Sequence, residues 1–325
     1  MPPMDMRIVF MGTPGLASHM LQAINENGYK VVAAVTAPDR PAGRGRKVRR
    51  SPVKQYALEN NIPVYQPEIL KTPSFIRALE ALKPDIQVVV AFRMLPEAVW
   101  SLPAKGTFNL HASLLPDYRG AAPINRVIIN GEKETGVTTF LIDNKLDTGN
   151  ILFRKIIPLQ EYETAGSLEE KVKIAGAELV LQTIEAIAKG TVTPIRQESI
   201  TDDPEKLHKA PKIYKEDRRI EWDKPCRDVV NHIHGLSPHP GAFCEVETTK
   251  GQYTSMKVFE ARPKTAKHDL RPGTLITDNK TFLHFATPDG FVKVLQLQIA
   301  GKKRMQTGEL LRGMQFYSPA SQHQS

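Results

Sequence analysis

Short apolar runs alternate with amphipathic segments along the first half of the chain. The apolar runs predict strands at residues 7–12, 29–37, 63–65, 86–92, 107–113, 136–143 and 151–158. Amphipathic periodicity predicts helices at about 15–27, 51–60, 73–82 and 167–189, with Ser167 as the N-cap of the last helix. Strands that alternate with helices are typical of an α/β domain. The pattern therefore predicts a Rossmann-like, mainly parallel sheet with helices on both faces.

The pattern changes after residue 190. Residues 191–206 are polar and lack helical periodicity, which predicts a linker. Short strands follow at 242–248, 252–260, 273–277, 281–287 and 291–298, with one helix near 228–235, and these indicate a small β-barrel. We therefore predict a larger domain over 1–190, a linker over 191–206, a smaller β domain over 207–315 and a tail over 316–325.

The composition fits a two-domain protein of the cytoplasm. The chain has 325 residues, of which 41% are hydrophobic, enough for one large core and one smaller one. It has no run of about 18 apolar residues that could cross a membrane, and it begins without the pattern of a signal peptide. Its two cysteines, Cys226 and Cys244, lack the spacing of a zinc or disulfide motif. We expect a cytoplasmic protein with no membrane contact and no bound metal.

Basic residues are concentrated in two places. Residues 206–325 contain 20 of the 44 Lys and Arg residues but only 12 of the 35 acidic residues. The second group lies in a Pro- and Gly-rich loop without acidic residues and consists of Arg40, Arg44, Arg46, Lys47, Arg49, Arg50 and Lys54. Such a loop is often only solvated surface. Two basic patches in one chain nevertheless favour a polyanionic partner such as a nucleic acid.

Three polar residues lie within otherwise apolar, strand-like segments: Asn109, His111 and Asp147. Any one of them alone is more commonly a turn former or a satisfied polar group. Asn109 and His111 are two residues apart, so they face one side of a strand while Leu110 faces the other. Burying such groups is costly unless they bind one another or a ligand. We therefore treat the three residues as one site at the carboxyl edge of the sheet, where α/β sheets bind ligands.

Two other kinds of site are not supported by the sequence. The turn at Gly12 follows the first strand, but the GxGxxG spacing and the acidic residue of a dinucleotide site are missing. His232, His234 and His239 lie close together, but no carboxylate or thiolate accompanies them at ligand spacing. We expect neither a dinucleotide nor zinc.

The same polar residues belong to a pattern that resembles the methionyl-tRNA formyltransferase family. The resemblance is carried by residues 109–124, the Leu146-Asp147-Thr148-Gly149 turn, Met11-Gly12-Thr13-Pro14, the basic loop 38–45 with 51–54, and Ala300-Gly301-Lys302-Lys303 with Met305. It therefore extends over nearly the whole chain. Two segments depart from the family: Gly15-Leu16 replaces an acidic residue and Phe, and the loop Phe92-Arg93-Met94-Leu95-Pro96 is one residue shorter.

This resemblance implies a reaction, namely transfer of the formyl group of 10-formyltetrahydrofolate, a co-substrate, to the amino group of initiator methionyl-tRNA. It also implies an OB-like barrel in the second domain, a monomeric state and no metal. Asn109 and His111 would donate hydrogen bonds to the oxyanion formed by direct attack of the amine. Asp147 would orient His111 and stabilise its imidazolium form. The folate would bind at Ser113, Leu114, Leu115, Pro116, Val89, Phe92, Ile142 and Asp143, and the tRNA at Arg44, Arg46, Lys47, Lys206 and Lys209.

Several alternatives remain open at this point. Formyltransferases that act on a sugar nucleotide or another small amine would share Asn109, His111 and Asp147, as would the hydrolase domain of formyltetrahydrofolate dehydrogenase. A glycinamide ribonucleotide formyltransferase should lack the second domain. The basic loop and the basic second domain favour tRNA over these. A non-enzymatic RNA-binding protein would leave the polar site unexplained, and replacing Asn109 or His111 would then change only stability.

Overall fold

The computed structural model describes residues 5–42, 47–201, 203–248 and 251–317. Within these ranges, the description of residues 41, 42, 47 and 48 is limited to the backbone. The chain forms two compact units. The N-terminal unit contains the chain up to residue 120 together with 134–158 and 169–209, and the C-terminal unit contains 121–133, 159–168 and the chain from 210 onward.

Strands and helices are numbered separately, each in chain order. The strands are β1 Arg7–Gly12, β2 Lys30–Val35, β3 Arg40–Ala42, β4 Lys47–Arg49, β5 Val64–Tyr65, β6 Ile86–Val90, β7 Thr107–His111, β8 Arg119–Gly120, β9 Glu134–Leu141, β10 Ile151–Pro158, β11 Lys209–Ala210, β12 Ala242–Glu247, β13 Tyr253–Thr265, β14 Leu275–Thr277, β15 Leu283–Thr287, β16 Gly290–Ile299 and β17 Met305–Gln306. The helices are α1 Gly15–Glu26, α2 Pro52–Glu59, α3 Pro73–Ala81, α4 Glu97–Trp100, α5 Pro123–Ile129, α6 Ala165–Lys189, α7 Cys226–Gly235 and α8 Thr307–Leu311.

The N-terminal unit is built on a sheet in which, among the described residues, seven strands pair in the order β10-β9-β7-β6-β1-β2-β5. The pairs from β7 through β6, β1 and β2 to β5 are parallel, whereas β9 runs antiparallel to both β7 and β10. Strand β6 is buried at every position, as a central parallel strand covered on both faces must be. The predicted mainly parallel α/β fold is therefore confirmed.

Most predicted elements appear with ends shifted by a few residues. The site strand β7 ends at His111 rather than at residue 113. The predicted N-cap Ser167 is wrong, because α6 begins two residues earlier, at Ala165. Thr164 caps it instead: its hydroxyl accepts from the Ser167 N–H at 3.1 Å, while the Ser167 hydroxyl accepts from the Thr164 N–H at 3.0 Å. This reciprocal arrangement is a capping box, and it satisfies amide donors that the helix itself cannot pair.

The C-terminal unit contains an antiparallel sheet of β12-β13-β16-β15-β14, with β17 paired to β16. Helix α7 packs on β13 and β16, and its apolar face carries Val229, Val230 and Ile233 into the core. Helix α5 lies against α7 at Gly235, whose missing side chain leaves room for Ile129. The predicted second, smaller β domain is therefore confirmed. The helix predicted near 228–235 is α7, but the prediction of a single helix is wrong, because α5 and α8 also lie in this unit.

His234 of α7 is buried in this core and adds a pH dependence to stability. Its Nε2 accepts a hydrogen bond from the Ala261 N–H at 3.2 Å. Burial, assisted by the nearby Arg262 charge, lowers the pKa of His234 to about 4. An unfolded histidine titrates near about 6.5, so the folded state is favoured by neutral His234 above that pH and loses this contribution as the pH falls towards 4.

The wild type should have a higher free energy of unfolding than His234→Gln at pH 7.5. We expect this difference to decrease by on the order of 2 kcal/mol when the pH is lowered to 4.5. Urea unfolding followed by circular dichroism at each pH measures it. Substitution of the exposed His239 by Gln is the matched control for the loss of an imidazole from the same unit. A constant difference for His234→Gln would contradict the prediction.

Candidate active site

A cleft opens over one face of the N-terminal sheet, at a row of residues that lie side by side on three strands. Val89 on β6 is in register with Asn109 on β7, which is in register with Phe140 on β9. The loops 92–95 and 142–147 form the sides of the cleft, whose empty space, including its open mouth, is about 460 Å³. The cleft is lined by Val89, Phe92, Arg93, Met94, Leu95, Asn109, Phe140, Ile142, Asp143, Lys145, Leu146 and Asp147.

Asn109 presents an amide with unused hydrogen-bonding capacity to this cleft. It lies in the middle of β7 rather than at its end. Its Oδ1 is buried and has no hydrogen-bond partner among the described residues. A buried polar atom without a partner costs free energy in the folded protein unless a ligand or water satisfies it. Asn109 is therefore placed to bind a polar group in the cleft.

His111 follows Asn109 by two residues, so it lies on the same face of β7, and it is buried. Its Nε2 is 2.9 Å from the backbone oxygen of Tyr118. Because a carbonyl oxygen can only accept, Nε2 must carry a proton. The other ring nitrogen, Nδ1, is 3.9 Å from Oδ2 of Asp147, which is too long for a direct hydrogen bond.

Asp147 completes the group from a loop between β9 and β10. Its Oδ2 accepts from the Gly120 N–H at 3.0 Å, and only 9% of the residue is exposed. Its φ of +54° lies in the left-handed region, which residues other than glycine seldom adopt. Such a conformation persists only where the surrounding contacts enforce it. The tertiary structure therefore brings Asn109, His111 and Asp147 together, as the sequence predicts.

Asp143 organises the same loop. One carboxylate oxygen accepts from the Lys145 N–H at 2.9 Å and from the Thr148 hydroxyl at 2.9 Å. The predicted folate contacts Val89, Phe92, Ile142 and Asp143 all line the cleft.

The other predicted folate contacts, Ser113, Leu114, Leu115 and Pro116, are not among the residues that line the cleft. The Ser113 hydroxyl donates to the backbone oxygen of Asp117 at 2.6 Å, and the Leu115 N–H donates to the Thr138 hydroxyl at 3.1 Å. Ser113, Leu115 and Pro116 are buried, so this turn packs within the unit.

Of the predicted tRNA contacts, Lys206 and Lys209 do not line the cleft. Arg44 and Arg46 lie outside the described residues, and only the backbone of Lys47, on β4, is described. Lys206 is exposed and pairs with Asp203 at 2.8 Å. Lys209, on β11, is exposed.

Arg93 is a cleft residue that the sequence marks only as a departure from the family. Its Nη1 donates to the Glu68 backbone oxygen at 2.6 Å and its Nη2 donates to that of Pro67. Partial burial and the nearby Arg40 charge lower the pKa of Arg93. The guanidinium lies 5.6 Å from the centre of the Phe92 ring, so it also shapes the apolar side of the cleft.

Within the described part of the chain, no group of three or more His, Cys, Asp or Glu residues is arranged to hold a metal ion. No helix in that part is long and apolar enough to span a membrane.

Comparison with known proteins defines the class first. A family model described as formyl transferase matches residues 6–184, and one described as formyl transferase, C-terminal domain, matches residues 212–315. The two domains are thus those of a formyl transferase. Among curated relatives, the methionyl-tRNA formyltransferase of Bacteroides thetaiotaomicron is 51% identical over 312 residues, covering 96% of this chain and 97% of the relative. That of Flavobacterium johnsoniae is 46% identical, covering 97% and 98%. The chain belongs to the methionyl-tRNA formyltransferase family.

Solved structures support the fold. HypX from Aquifex aeolicus in complex with tetrahydrofolic acid superposes with a TM-score of 0.62 at 20% identity, over 96% of this chain and 49% of that chain. This chain thus spans about half the length of HypX. WlaRD, a sugar 3N-formyl transferase, gives a TM-score of 0.63 at 19% identity, over 92% and 99%. At these identities the likeness concerns the fold alone.

Proposed function

We propose that this protein transfers the formyl group of 10-formyltetrahydrofolate to the free amino group of initiator methionyl-tRNA, for translation initiation. One observation carries the proposal. Asn109, with its unpartnered buried oxygen, shares a cleft with Asp147, whose carboxylate lies 3.9 Å from buried His111. Family membership supports the choice of both substrates.

The cleft suits a folate co-substrate. Val89, Phe140 and Ile142 supply apolar walls for a flat ring system, and Asn109 and Asp143 supply hydrogen-bonding groups. When bound, the folate supplies a formyl carbon that an amine can attack. No metal is part of this proposal.

Asn109 would stabilise the reaction through its amide. Negative charge develops on the formyl oxygen as the amine nitrogen bonds to the formyl carbon, and the Nδ2 of Asn109 would donate to that oxygen. The bond between the formyl carbon and folate N10 then breaks. The amine loses a proton in the course of the reaction and N10 gains one, so the net proton count is unchanged.

His111 and Asp147 would assist this proton movement. Because Nε2–H donates to Tyr118, His111 can donate towards the oxyanion only from a protonated Nδ1. The Asp147 carboxylate lies 3.9 Å from Nδ1. In the neutral ring Nδ1 has a free lone pair, and this can accept the proton that the amine releases. Asp147 would also orient the ring.

We further propose how the chain is organised around this reaction. The catalytic domain would span residues 1–190, residues 207–315 would form an OB-like tRNA-binding domain and residues 316–325 a tail. Residues 191–206 would link the two domains, although this linker is buried at Gln197 within the N-terminal unit. Arg44, Arg46, Lys47, Lys206 and Lys209 would contact tRNA phosphates. The protein would act as a monomer in the cytoplasm.

Formyl transfer from labelled 10-formyltetrahydrofolate to initiator methionyl-tRNA tests the reaction. Uncharged tRNA, glycinamide ribonucleotide and an amino sugar nucleotide serve as parallel acceptors. Label on the charged tRNA alone supports the proposal. Label on the sugar nucleotide or another small amine would support formyl transfer but reject methionyl-tRNA as the acceptor. Absence of transfer to every acceptor would reject both formyl transfer and the tRNA acceptor.

The phosphate contacts are tested through the salt dependence of tRNA binding. Lys209→Ala should weaken binding and reduce the slope of log K against log salt by about 0.7–0.9, the contribution of one released phosphate contact. Lys71→Ala, a change at another exposed lysine, should leave the slope unchanged. Equal slopes for wild type and Lys209→Ala would remove Lys209 from the tRNA contacts.

A further inference from the structure

Gln197 lies in a segment that the sequence pattern predicts to be a linker, yet its side chain is completely buried. It begins a short 3-10 turn, Gln197–Ser199, two residues after Ile195 pairs with Ile151 of β10. No charge or motif in the sequence distinguishes it.

Each hydrogen-bonding group of the Gln197 amide has a protein partner. Nε2 donates to the backbone oxygen of Asp147 at 2.9 Å and to that of Gly149 at 2.8 Å. Oε1 accepts from Nε of Arg119 at 3.0 Å and from its Nη2 at 2.6 Å. Rotating the amide by half a turn would place donors against donors and oxygen against oxygens, so only one orientation is compatible with the structure.

These contacts join the two segments that flank His111. One is the Asp147–Gly149 turn, whose Asp147 carboxylate faces Nδ1 of the ring. The other is the 118–120 segment, in which the Tyr118 oxygen binds Nε2 and the Gly120 N–H binds the Asp147 carboxylate. The left-handed backbone conformation at Asp147 persists only if surrounding contacts hold it. Gln197 holds the Asp147 backbone oxygen, while the Gly120 N–H holds the Asp147 carboxylate.

We infer that Gln197 is a positioning residue for the reaction: its two N–H donors hold the Asp147 backbone so that the carboxylate stays at the correct distance from His111. Gln197 does not line the cleft. Its effect reaches the chemistry only through Asp147. The inference rests on the proposed formyl transfer for its kinetic test.

Two variants separate hydrogen-bond donation from packing. Gln197→Glu keeps the side-chain volume and the acceptor for Arg119 but removes both donors, and Gln197→Met removes every polar contact. Both should lower kcat by roughly 10- to 100-fold, because misplacing a catalytic group by about 1 Å is costly, with the KM for the folate changed less than about 3-fold. Glu198→Gln, an exposed change in the same turn, is the matched control and should leave both parameters unchanged.

A double-mutant cycle with Asp147→Asn distinguishes positioning from general stabilisation. If Gln197 acts through Asp147, adding either Gln197 variant to Asp147→Asn should lower the single-turnover rate by less than about 3-fold further. Equal losses in the two backgrounds, or a kcat within about twofold of the wild type for folded Gln197→Glu, would overturn the inference. An inactive wild type would instead reject the proposed function.

A second readout does not require activity. In protein labelled with ¹⁵N-histidine, the His111 ring signals, assigned by comparison with a His111 variant, should shift in Gln197→Glu and remain in place in Glu198→Gln. Unshifted His111 signals in folded Gln197→Glu would also overturn the inference. If Gln197→Met fails to fold, Gln197→Glu alone carries the test, because it retains the volume and the Arg119 contact.

Discussion

Replacing His111 with alanine is expected to lower kcat for formyl transfer to methionyl-tRNA by roughly 100- to 1000-fold, the usual consequence of losing one donor to a developing oxyanion. The variant removes both the Nδ1 group that faces Asp147 and the Nε2 contact to Tyr118. Single-turnover measurements with labelled 10-formyltetrahydrofolate provide the sensitivity that such a loss requires. The KM for the folate should change far less than kcat, because the proposed contact is made with an oxyanion that forms only in the transition state.

The control for this experiment is a histidine in the same unit but away from the cleft. His19 lies partly exposed on α1, and His19→Ala should retain wild-type turnover. Thermal unfolding must show that His111→Ala is folded, since its ring is buried. A folded His111→Ala enzyme with a turnover near that of the wild type would remove His111 from the mechanism and favour a binding role for the protein.

Gly149→Ala is expected to destabilise the N-terminal unit by about 3 kcal/mol and to abolish most of the formyl transfer. A Cβ at this position would lie 1.6 Å from the backbone oxygen of Leu141, which belongs to β9. A strand backbone cannot move aside easily, so the turn must move instead. Because the same turn carries Asp147 and binds Gln197, its displacement alters the site together with the fold.

Differential scanning calorimetry tests this prediction, since about 3 kcal/mol corresponds to a fall in Tm of roughly 6–12 °C for a unit of this size. Gly15→Ala is the matched control. It lies at the start of α1 with no atom within 4 Å of the added Cβ, and alanine favours helix, so its Tm should be unchanged or slightly higher. A Gly149→Ala protein as stable as Gly15→Ala would show that the turn can relax, and would contradict the expected clash with β9.

The sequence predicts the local elements well where burial imposes a clear period. Strands β1, β6 and β10 follow the apolar runs closely because each is long and mostly buried on at least one face. Helix α4 and strand β8 are not predicted, because four and two residues are too few to show a repeating pattern. The N-cap of α6 is predicted wrongly because Thr164 and Ser167 are both good capping residues, and only the backbone geometry distinguishes them.

Some residues of the candidate site could be predicted from the sequence, and others could not. Asn109 and His111 are found from spacing alone, because alternation along a strand puts residues two apart on one face. Asp147 is far from them in sequence, and its membership depends on the family resemblance as well as on its polar character in an apolar segment. Gln197 binds backbone carbonyls, and a carbonyl is the same in every residue. No sequence pattern could have indicated that partner.

By itself, the sequence determined the α/β class, the smaller β domain that follows it, the family and the polar residues that carry the chemistry. These properties depend on local periodicity and residue type, which a single chain displays directly. Only the tertiary structure decided that the cleft lies over the middle of β7, that the turn 113–116 does not line it, and that Gln197 binds the Asp147 backbone beside His111. Those features depend on contacts between residues far apart in the chain, and only the packing of the folded backbone brings such residues together.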